Sequence, residues 1–145
     1  MKISMKGDYG VRALVDLADH YGNGPVQSRE IAERQDIPEP SLDQLLTVLR
    51  KAGFIRSRRG PQGGHALARP PTDISMGAVI TSLEGSIAAV GCLDGTVDCS
   101  LSGNCGQQEI WQEVTEASQR VLNQTSIGDL LERQHAKRAR SMYYI

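Results

Sequence analysis

A glycine-rich hexapeptide at residues 59–64, with the sequence RGPQGG, constrains the fold of this chain more than any other feature. It separates two short β-prone segments, 54–58 and 65–68, which predicts a tight hairpin. The segment before it, from about residue 40 to 52, predicts an amphipathic helix with leucines on one face: Leu42, Leu45, Leu46 and Leu49. A helix followed by a two-stranded wing indicates a winged helix-turn-helix domain.

The remaining segments predict a mainly α-helical chain. Apolar periodicity predicts helices at 6–21, 29–35, 76–84 and 108–123, and a last helix that begins after Ser126. Ser28, Ser75 and Ser126 are the predicted N-terminal caps, and Ala78, Val79 and Leu83 are predicted to face inward. We predict four regions: a winged helix-turn-helix domain at 1–84, a cysteine-rich loop at 85–107, dimerisation helices at 108–132 and a basic tail at 133–145. The fold class is mainly α with a small β wing and a long C-terminal dimerisation helix.

The charge of the chain is unevenly distributed. The formal net charge is −1, but no Asp or Glu occurs between Gln44 and Thr72, where several Lys and Arg residues lie. Such a segment is either a solvated basic surface or a phosphate contact, and its place around the wing favours DNA. An arginine at the wing tip can enter the minor groove, and glycines let the backbone approach phosphates. The predicted DNA-contacting residues are Ser41, Asp43, Gln44, Thr47, Arg50, Arg58, Arg59, Gly63 and Gly64.

The only three cysteines of the chain, Cys92, Cys99 and Cys105, lie together in a glycine-rich polar stretch. Their odd number and the lack of a recognisable signal peptide disfavour a disulfide scaffold, and their polar neighbours disfavour buried structural thiols. Zinc prefers four ligands with close cysteine pairs, whereas these cysteines have six and five residues between them. The pattern therefore favours an iron–sulfur cluster with one further ligand. That ligand comes from elsewhere in the chain, from a second subunit or from solvent.

The predicted helix at 108–123 has an apolar stripe at Ile110, Val114, Ala117 and Val121. The stripe packs either in the intrachain core or in a symmetric dimer, and the small size of the chain favours the dimer. A homodimer also suits a helix-turn-helix domain, because two half-sites match a two-fold axis.

The composition limits the remaining possibilities. Hydrophobic residues make up 39% of the chain and charged residues 23%, which is ordinary for a globular protein. No apolar run approaches the roughly 20 residues of a membrane span, so we expect a cytoplasmic protein without a membrane partner. The histidines are scattered and no nucleophile motif occurs, so we expect neither an enzyme nor a small-molecule substrate.

Several strings resemble the Rrf-two family of bacterial winged-helix regulators. They are MKIS and GDY near the start, IAERQ at 31–35, LDQLL at 42–46, LRKAG at 49–53 and RGPQGG at 59–64, and the three cysteines lie where sensory members hold theirs. The resemblance extends from residue 1 to about 132. It implies a DNA-binding regulator, with double-stranded operator DNA as its partner.

The resemblance also implies roles for single residues. Asp43 and Gln44 match positions that meet DNA on the recognition helix, and Arg59 matches the wing-tip arginine. Cys92, Cys99 and Cys105 match cluster ligands. The histidine that completes the cluster in the family's cluster-assembly regulator has no counterpart at 106–109, and the first cysteine spacing is one residue longer than usual.

The nitric-oxide-sensing members of the family suggest another fourth ligand. Asp8 matches an N-terminal aspartate that the second subunit donates there. The residue also fits a structural interpretation, as a helix cap or a first-turn acid that the helix dipole favours. The choice between a 2Fe–2S and a 4Fe–4S cluster stays open.

The main hypothesis is a dimeric regulator or repressor whose iron–sulfur cluster senses iron, redox state or nitric oxide. The first alternative is a cluster-free regulator of the same fold, controlled by thiol oxidation or by a partner protein. The second is an iron–sulfur carrier, which the wing and the recognition helix disfavour.

Overall fold

The first and third helices of the winged domain pack together in one hydrophobic core. The computed structural model describes residues 1–143, and its regular elements within that range confirm the predicted mainly α fold with a β wing. The elements are α1 Met5–Asp19, α2 Ser28–Gln35, α3 Glu39–Lys51, β1 Ile55–Arg58, β2 Gly64–Leu67, α4 Met76–Glu84, α5 Gln108–Gln124 and α6 Ile127–Tyr143. Short 3₁₀ turns lie at Pro71–Asp73 and Gly91–Leu93.

The hydrophobic core confirms the leucine face predicted for α3. Leu42, Leu45, Leu46 and Leu49 are all buried and pack in one cluster with α1 side chains such as Leu14. Burial of this apolar surface is the main force that holds α3 on the domain. The polar face of α3 is therefore left at the surface, where DNA can reach it.

An ion pair with one buried partner joins α2 to α1. Asp16 is almost fully buried and accepts two hydrogen bonds of 2.9 Å from the Arg34 guanidinium and one of 3.1 Å from Gln35. Asp36 then adopts a left-handed conformation, with φ of 51°, and ends α2. The ion pair therefore ties α2 to α1, and the turn at Asp36 leads from α2 into α3.

Two local predictions about the helices were wrong. The N-cap of α2 is Gln27 rather than Ser28, and the Glu30 carboxylate accepts the Gln27 backbone N–H at 3.1 Å. In α4, Ala78 is exposed and Ile80 is buried instead. Val79, Ile80 and Leu83 together form the inward face of α4. At 100° per residue, position 78 lies on the opposite side of the helix from the centre of that face. The caps predicted at Ser75 and Ser126 are confirmed, since each hydroxyl accepts a backbone N–H at 3.0 Å.

The last helix runs much further than the predicted segment around Ile127 and Leu131. α6 extends to Tyr143, so residues 133–143 of the region named as a basic tail are helical, and residues 144 and 145 lie outside the described residues. His135 and Arg138 contact Asp19 at 2.9 and 3.5 Å, which joins α6 to the end of α1.

Candidate DNA interface and cysteine loop

The polar face of α3 and the wing form one continuous surface. Asp43, Gln44, Thr47 and Arg50 are exposed on α3, and Ser41 is half-buried at its start. The side chains of Asp43, Thr47 and Arg50 line a cleft whose other wall is the wing. The structure thus brings these three predicted residues to the base of the predicted wing, whereas Ser41 and Gln44 line a separate cleft against α1. Arg58 and Arg59 are exposed toward the wing tip.

The two wing glycines have a packing role that the sequence did not reveal. A Cβ atom on Gly63 would collide with the Arg58 carbonyl group, and one on Gly64 would lie 2.5 Å from the Val26 carbonyl oxygen. Gly64 also has a φ of 148°, a conformation that favours glycine. The backbone therefore requires glycine at both positions, independently of any phosphate contact.

The wing is anchored to the rest of the domain by its own backbone. β1 and β2 pair antiparallel, with Ser57 opposite His65 and Arg58 opposite Gly64. His65 and Val26 also exchange two backbone hydrogen bonds, of 2.7 and 2.8 Å. This bridge holds the hairpin against the segment that enters α2, so the wing keeps a fixed position relative to α3.

His65 is a site residue that sequence reasoning missed. Its ring is half-buried in the cleft and its Nδ1 lies 2.8 Å from the Ser57 hydroxyl oxygen. Burial lowers the pKa of the His65 ring, Asp43 opposes that shift, and Arg50 adds to it. The signal was present in the hairpin register, since residues opposite each other in a ladder share one face.

The cysteine loop, unlike the winged domain, contains no buried residues. Cys92, Cys99 and Cys105 are free and each is half-buried. Within residues 1–143, no three His, Cys, Asp or Glu side chains converge on a point that could hold a metal ion. The structure therefore leaves the three predicted ligands apart, in a segment without buried residues.

Two hydrogen-bonded anchors connect this loop to the helices around it. Glu84, the residue just before the loop, accepts backbone N–H bonds of 3.1 Å from Ser4 and Gly7, at the start of α1. Its carboxylate satisfies free donors there and complements the positive end of the helix. Inside the loop, the Ala89 N–H donates to the Thr115 hydroxyl at 3.0 Å, which ties the loop to α5.

Asp8 lies in the first turn of α1 but is not its cap, which is Ser4. Its carboxylate accepts hydrogen bonds of 2.6 and 3.2 Å from the Arg12 guanidinium. Hydrogen bonding to Arg12 holds the pKa of the Asp8 carboxyl below its ordinary value. The first-turn interpretation of Asp8 is thus confirmed, and the carboxylate is charged and close to the surface.

Three of the four residues of the predicted apolar stripe of α5 are exposed, and the fourth, Ala117, is half-buried. Ile110, Val114 and Val121 are 57%, 45% and 63% exposed, and Thr115 is the only buried residue of the helix. An intrachain core is therefore the wrong explanation for these three side chains. None of the described helices is both long enough and apolar enough to cross a membrane.

Comparison with known proteins gives consistent similarities. The profile of the Rrf2 family, described as "Iron-dependent Transcriptional regulator", matches residues 3–133. The HTH-type transcriptional regulator IscR of Vibrio atlanticus is 37% identical over 131 residues, which cover 90% of this chain and 75% of that relative. The structure of CymR, the global cysteine regulator of B. subtilis, matches with a TM-score of 0.80 and 34% identity over 92% of this chain and 98% of CymR. IscR of T. potens matches with a TM-score of 0.74 and 43% identity, covering 92% and 88% of the two chains.

Proposed function

The chain belongs to the Rrf2 family of transcriptional regulators, and from that premise we propose that an iron–sulfur cluster in its cysteine loop controls its binding to DNA as a homodimer. It is a transcription regulator with a DNA-binding domain and not an enzyme.

The observation that carries the proposal is the presence of three free, half-buried thiols within one 14-residue stretch of a single loop. Soft thiolates are the preferred ligands of iron–sulfur clusters, so the donor chemistry of Cys92, Cys99 and Cys105 fits such a group. A bound cluster supplies iron that can change oxidation state or react with oxygen or nitric oxide. The chain contributes the thiolates and the loop that closes around the cluster.

Asp8 is the proposed fourth ligand, donated by the second subunit. Its carboxylate is deprotonated near neutral pH, as a ligand must be, and is half-exposed beside Arg12. To reach a cluster it has to exchange the Arg12 ion pair for iron. An Asp8→Ala protein that keeps full cluster occupancy and an unchanged absorption spectrum would refute this part of the proposal.

The exposed face of α5 supports the homodimer. Ile110, Val114 and Val121 form an unpaired apolar stripe, and a second copy of the helix would bury it across a two-fold axis. The two α3 helices would then face half-sites separated by a turn of DNA, about 34 Å. A small change in their separation is enough to alter binding.

The route from the loop to DNA passes through α1. Glu84 fixes the start of the loop to the N-terminus of α1, and α1 packs directly on α3. A cluster that pulls the loop toward the second subunit would therefore shift both helices together. In this arrangement Asp43 and Gln44 meet the major groove and Arg59 enters the minor groove, as the family resemblance implies. Ser41, Thr47, Arg50, Arg58, Gly63 and Gly64 complete the proposed contact surface.

The decisive experiment is native mass spectrometry on protein purified without oxygen, with an absorption spectrum of the same sample. We expect a dimer that carries the mass of a 2Fe–2S or a 4Fe–4S cluster per subunit. Cys99→Ser should lose that mass, whereas the neighbouring Ser100→Ala should keep it. Removing the cluster should change the affinity for operator DNA by roughly 5- to 150-fold, the usual range of coupling between two sites.

A colourless, metal-free dimer after anaerobic reconstitution with iron and sulfide would contradict the cluster proposal. The second candidate would then be control by thiol oxidation, which the three free cysteines also favour. Two thiols would give up two protons and two electrons to an added mild oxidant and form one disulfide. A mass loss of two hydrogens, with a parallel change in DNA affinity, would support it.

A further inference from the structure

The cleft between α3 and the wing is lined by polar side chains of the wing as well as by those of α3. Thr47 and Arg50 line one wall, and Ser57 and His65 line the other. The Ser57 hydroxyl and the His65 ring are 2.8 Å apart and lie directly opposite in the hairpin register. The exposed Arg50 guanidinium and the Asp43 carboxylate are the charged groups that line the cleft beside this hydroxyl–imidazole pair.

We propose that this cleft binds one phosphate of the DNA backbone, with His65 and Arg50 as donors, and that protonation of His65 strengthens the contact. The proposal rests on the proposed DNA interface and deepens it. It adds Ser57 and His65 to the residues assigned to DNA, and it gives the interface a dependence on pH.

The hydrogen bonds of His65 leave one ring nitrogen for a ligand. Nδ1 is engaged with Ser57, and Nε2 has no hydrogen-bond partner in the part of the chain that the structure describes. When the Ser57 hydroxyl donates to Nδ1, the neutral ring carries its proton on Nε2 and can donate it to a phosphate oxygen. The protonated ring donates from both nitrogens, and its hydrogen bond to phosphate is then charge-assisted.

The charges around His65 give the sign of the pH effect. Asp43 and Arg50 are the charged side chains of the cleft, and in the free protein burial keeps the pKa of His65 below its ordinary value. A bound phosphate brings negative charge, which favours the imidazolium and raises the pKa in the complex. The added affinity is therefore complete below the pKa of the free protein and is lost as the pH rises through the pKa of the complex.

The position of the cleft suits a backbone phosphate. With α3 in the major groove and the wing in the minor groove, a phosphate in this cleft would lie where the strand passes between the two grooves. The contact carries no sequence information, so it should be visible on any duplex. This allows a test that does not require knowledge of the operator.

The test measures fluorescence anisotropy of a random-sequence 24-base-pair duplex with the full-length dimer at pH 6, 7 and 8 and constant ionic strength. We expect the affinity of the wild-type dimer to rise about threefold to tenfold from pH 8 to pH 6, as for one group that gains a phosphate partner. His65→Gln should flatten this dependence because glutamine keeps a donor but does not titrate. His135→Gln, on α6, is the matched control and should keep it.

Two further measurements keep the test decisive. Ser57→Ala removes the hydrogen-bond partner of Nδ1 but keeps the ring. It should weaken DNA binding by a smaller factor than His65→Gln does. The bridge to Val26 uses only the His65 backbone, so we expect both variants to keep the wild-type fold, and circular dichroism melting of each variant checks this. An unchanged pH dependence in His65→Gln, with wild-type binding intact, would overturn this inference alone. Absence of binding by the wild-type dimer to any duplex would instead overturn the proposed DNA interface.

Discussion

The winged domain and the cysteine loop adjoin each other in the chain but are stabilised in different ways. In α3, four leucines are buried, and the wing is held by a β ladder and a backbone bridge to Val26. From residue 85 to 107 no side chain is buried, and the loop is held by turns and by hydrogen bonds such as that from Ala89 to Thr115. The first region supplies its own core and the second does not.

This difference fits the two tasks that we assign to the regions. A surface that recognises DNA needs a fixed arrangement of side chains before the ligand arrives, because rigid contacts lose less entropy on binding. A loop that closes around a ligand gains its order from that ligand and can report its presence.

The largest effect should come from the core of α3. Leu49→Ala should lower the free energy of unfolding by about 2–5 kcal/mol, because Leu49 is 0% exposed and its removal leaves a cavity. Leu101→Ala makes the same change in the cysteine loop at a side chain that is 59% exposed. It should alter the stability by less than about 0.5 kcal/mol. Urea unfolding of both variants as metal-free protein makes the comparison, and equal losses would contradict it.

The wing tip should dominate DNA affinity without affecting stability. Arg59→Ala should weaken operator binding by about 1–3 kcal/mol, the usual value for an arginine that reads a groove. Arg59 is exposed and contributes little to the core, so the melting temperature should stay the same. Arg140→Ala, an exposed arginine on α6, is the control for loss of one positive charge. Equal weakening by both variants would mean that only net charge matters.

A pair of glycines sharpens the same contrast at the level of the backbone. Gly63→Ala should destabilise the protein by about 1–3 kcal/mol, because the added Cβ meets the Arg58 carbonyl group. Gly106→Ala in the cysteine loop meets nothing within 4 Å and has no positive φ, so it should be neutral or slightly stabilising. Thermal melting measures both. A neutral Gly63→Ala would show that the wing turn is as adaptable as the loop.

The fold was predictable where the signal lies within one short segment of the sequence. The leucine spacing of α3 and the serine caps of α4 and α6 are local signals, and the structure confirms them. The errors also have local causes. Gln27 caps α2, and Glu30, three residues later, accepts its backbone N–H. The prediction named Ser28 instead because serine is a common N-cap residue.

The site was predictable only in part. The exposed face of α3 follows from its period, but His65 required the hairpin register, and the roles of Glu84 and Thr115 required contacts between distant segments. The arrangement of the cysteines as ligands was not predictable, because in the proposed function it depends on a bound group and on a second copy of the chain. Periodicity carries no information about such partners.

The smallest effect concerns Asp8, and it separates a structural role from a role as ligand. In the metal-free protein, Asp8→Asn removes an exposed pair with Arg12 and should cost only a few tenths of a kcal/mol. Because the folded-state pKa of Asp8 is lowered, its contribution is present above the ordinary aspartate pKa of about 4 and disappears as the pH falls through the lower folded value. The stabilities of wild type and Asp8→Asn should therefore converge below that range in urea unfolding series.

The same substitution should have a much larger effect on a cluster-bearing dimer. Loss of a ligand usually releases or exposes a metal group, so anaerobic Asp8→Asn should lose its cluster faster than Glu132→Gln, an exposed acid of α6. A small effect on the metal-free protein combined with a large effect on the cluster would place Asp8 in the sensing region despite its position in the winged domain. Equal small effects in both forms would leave Asp8 as a first-turn acid of α1 and would restrict sensing to the cysteine loop.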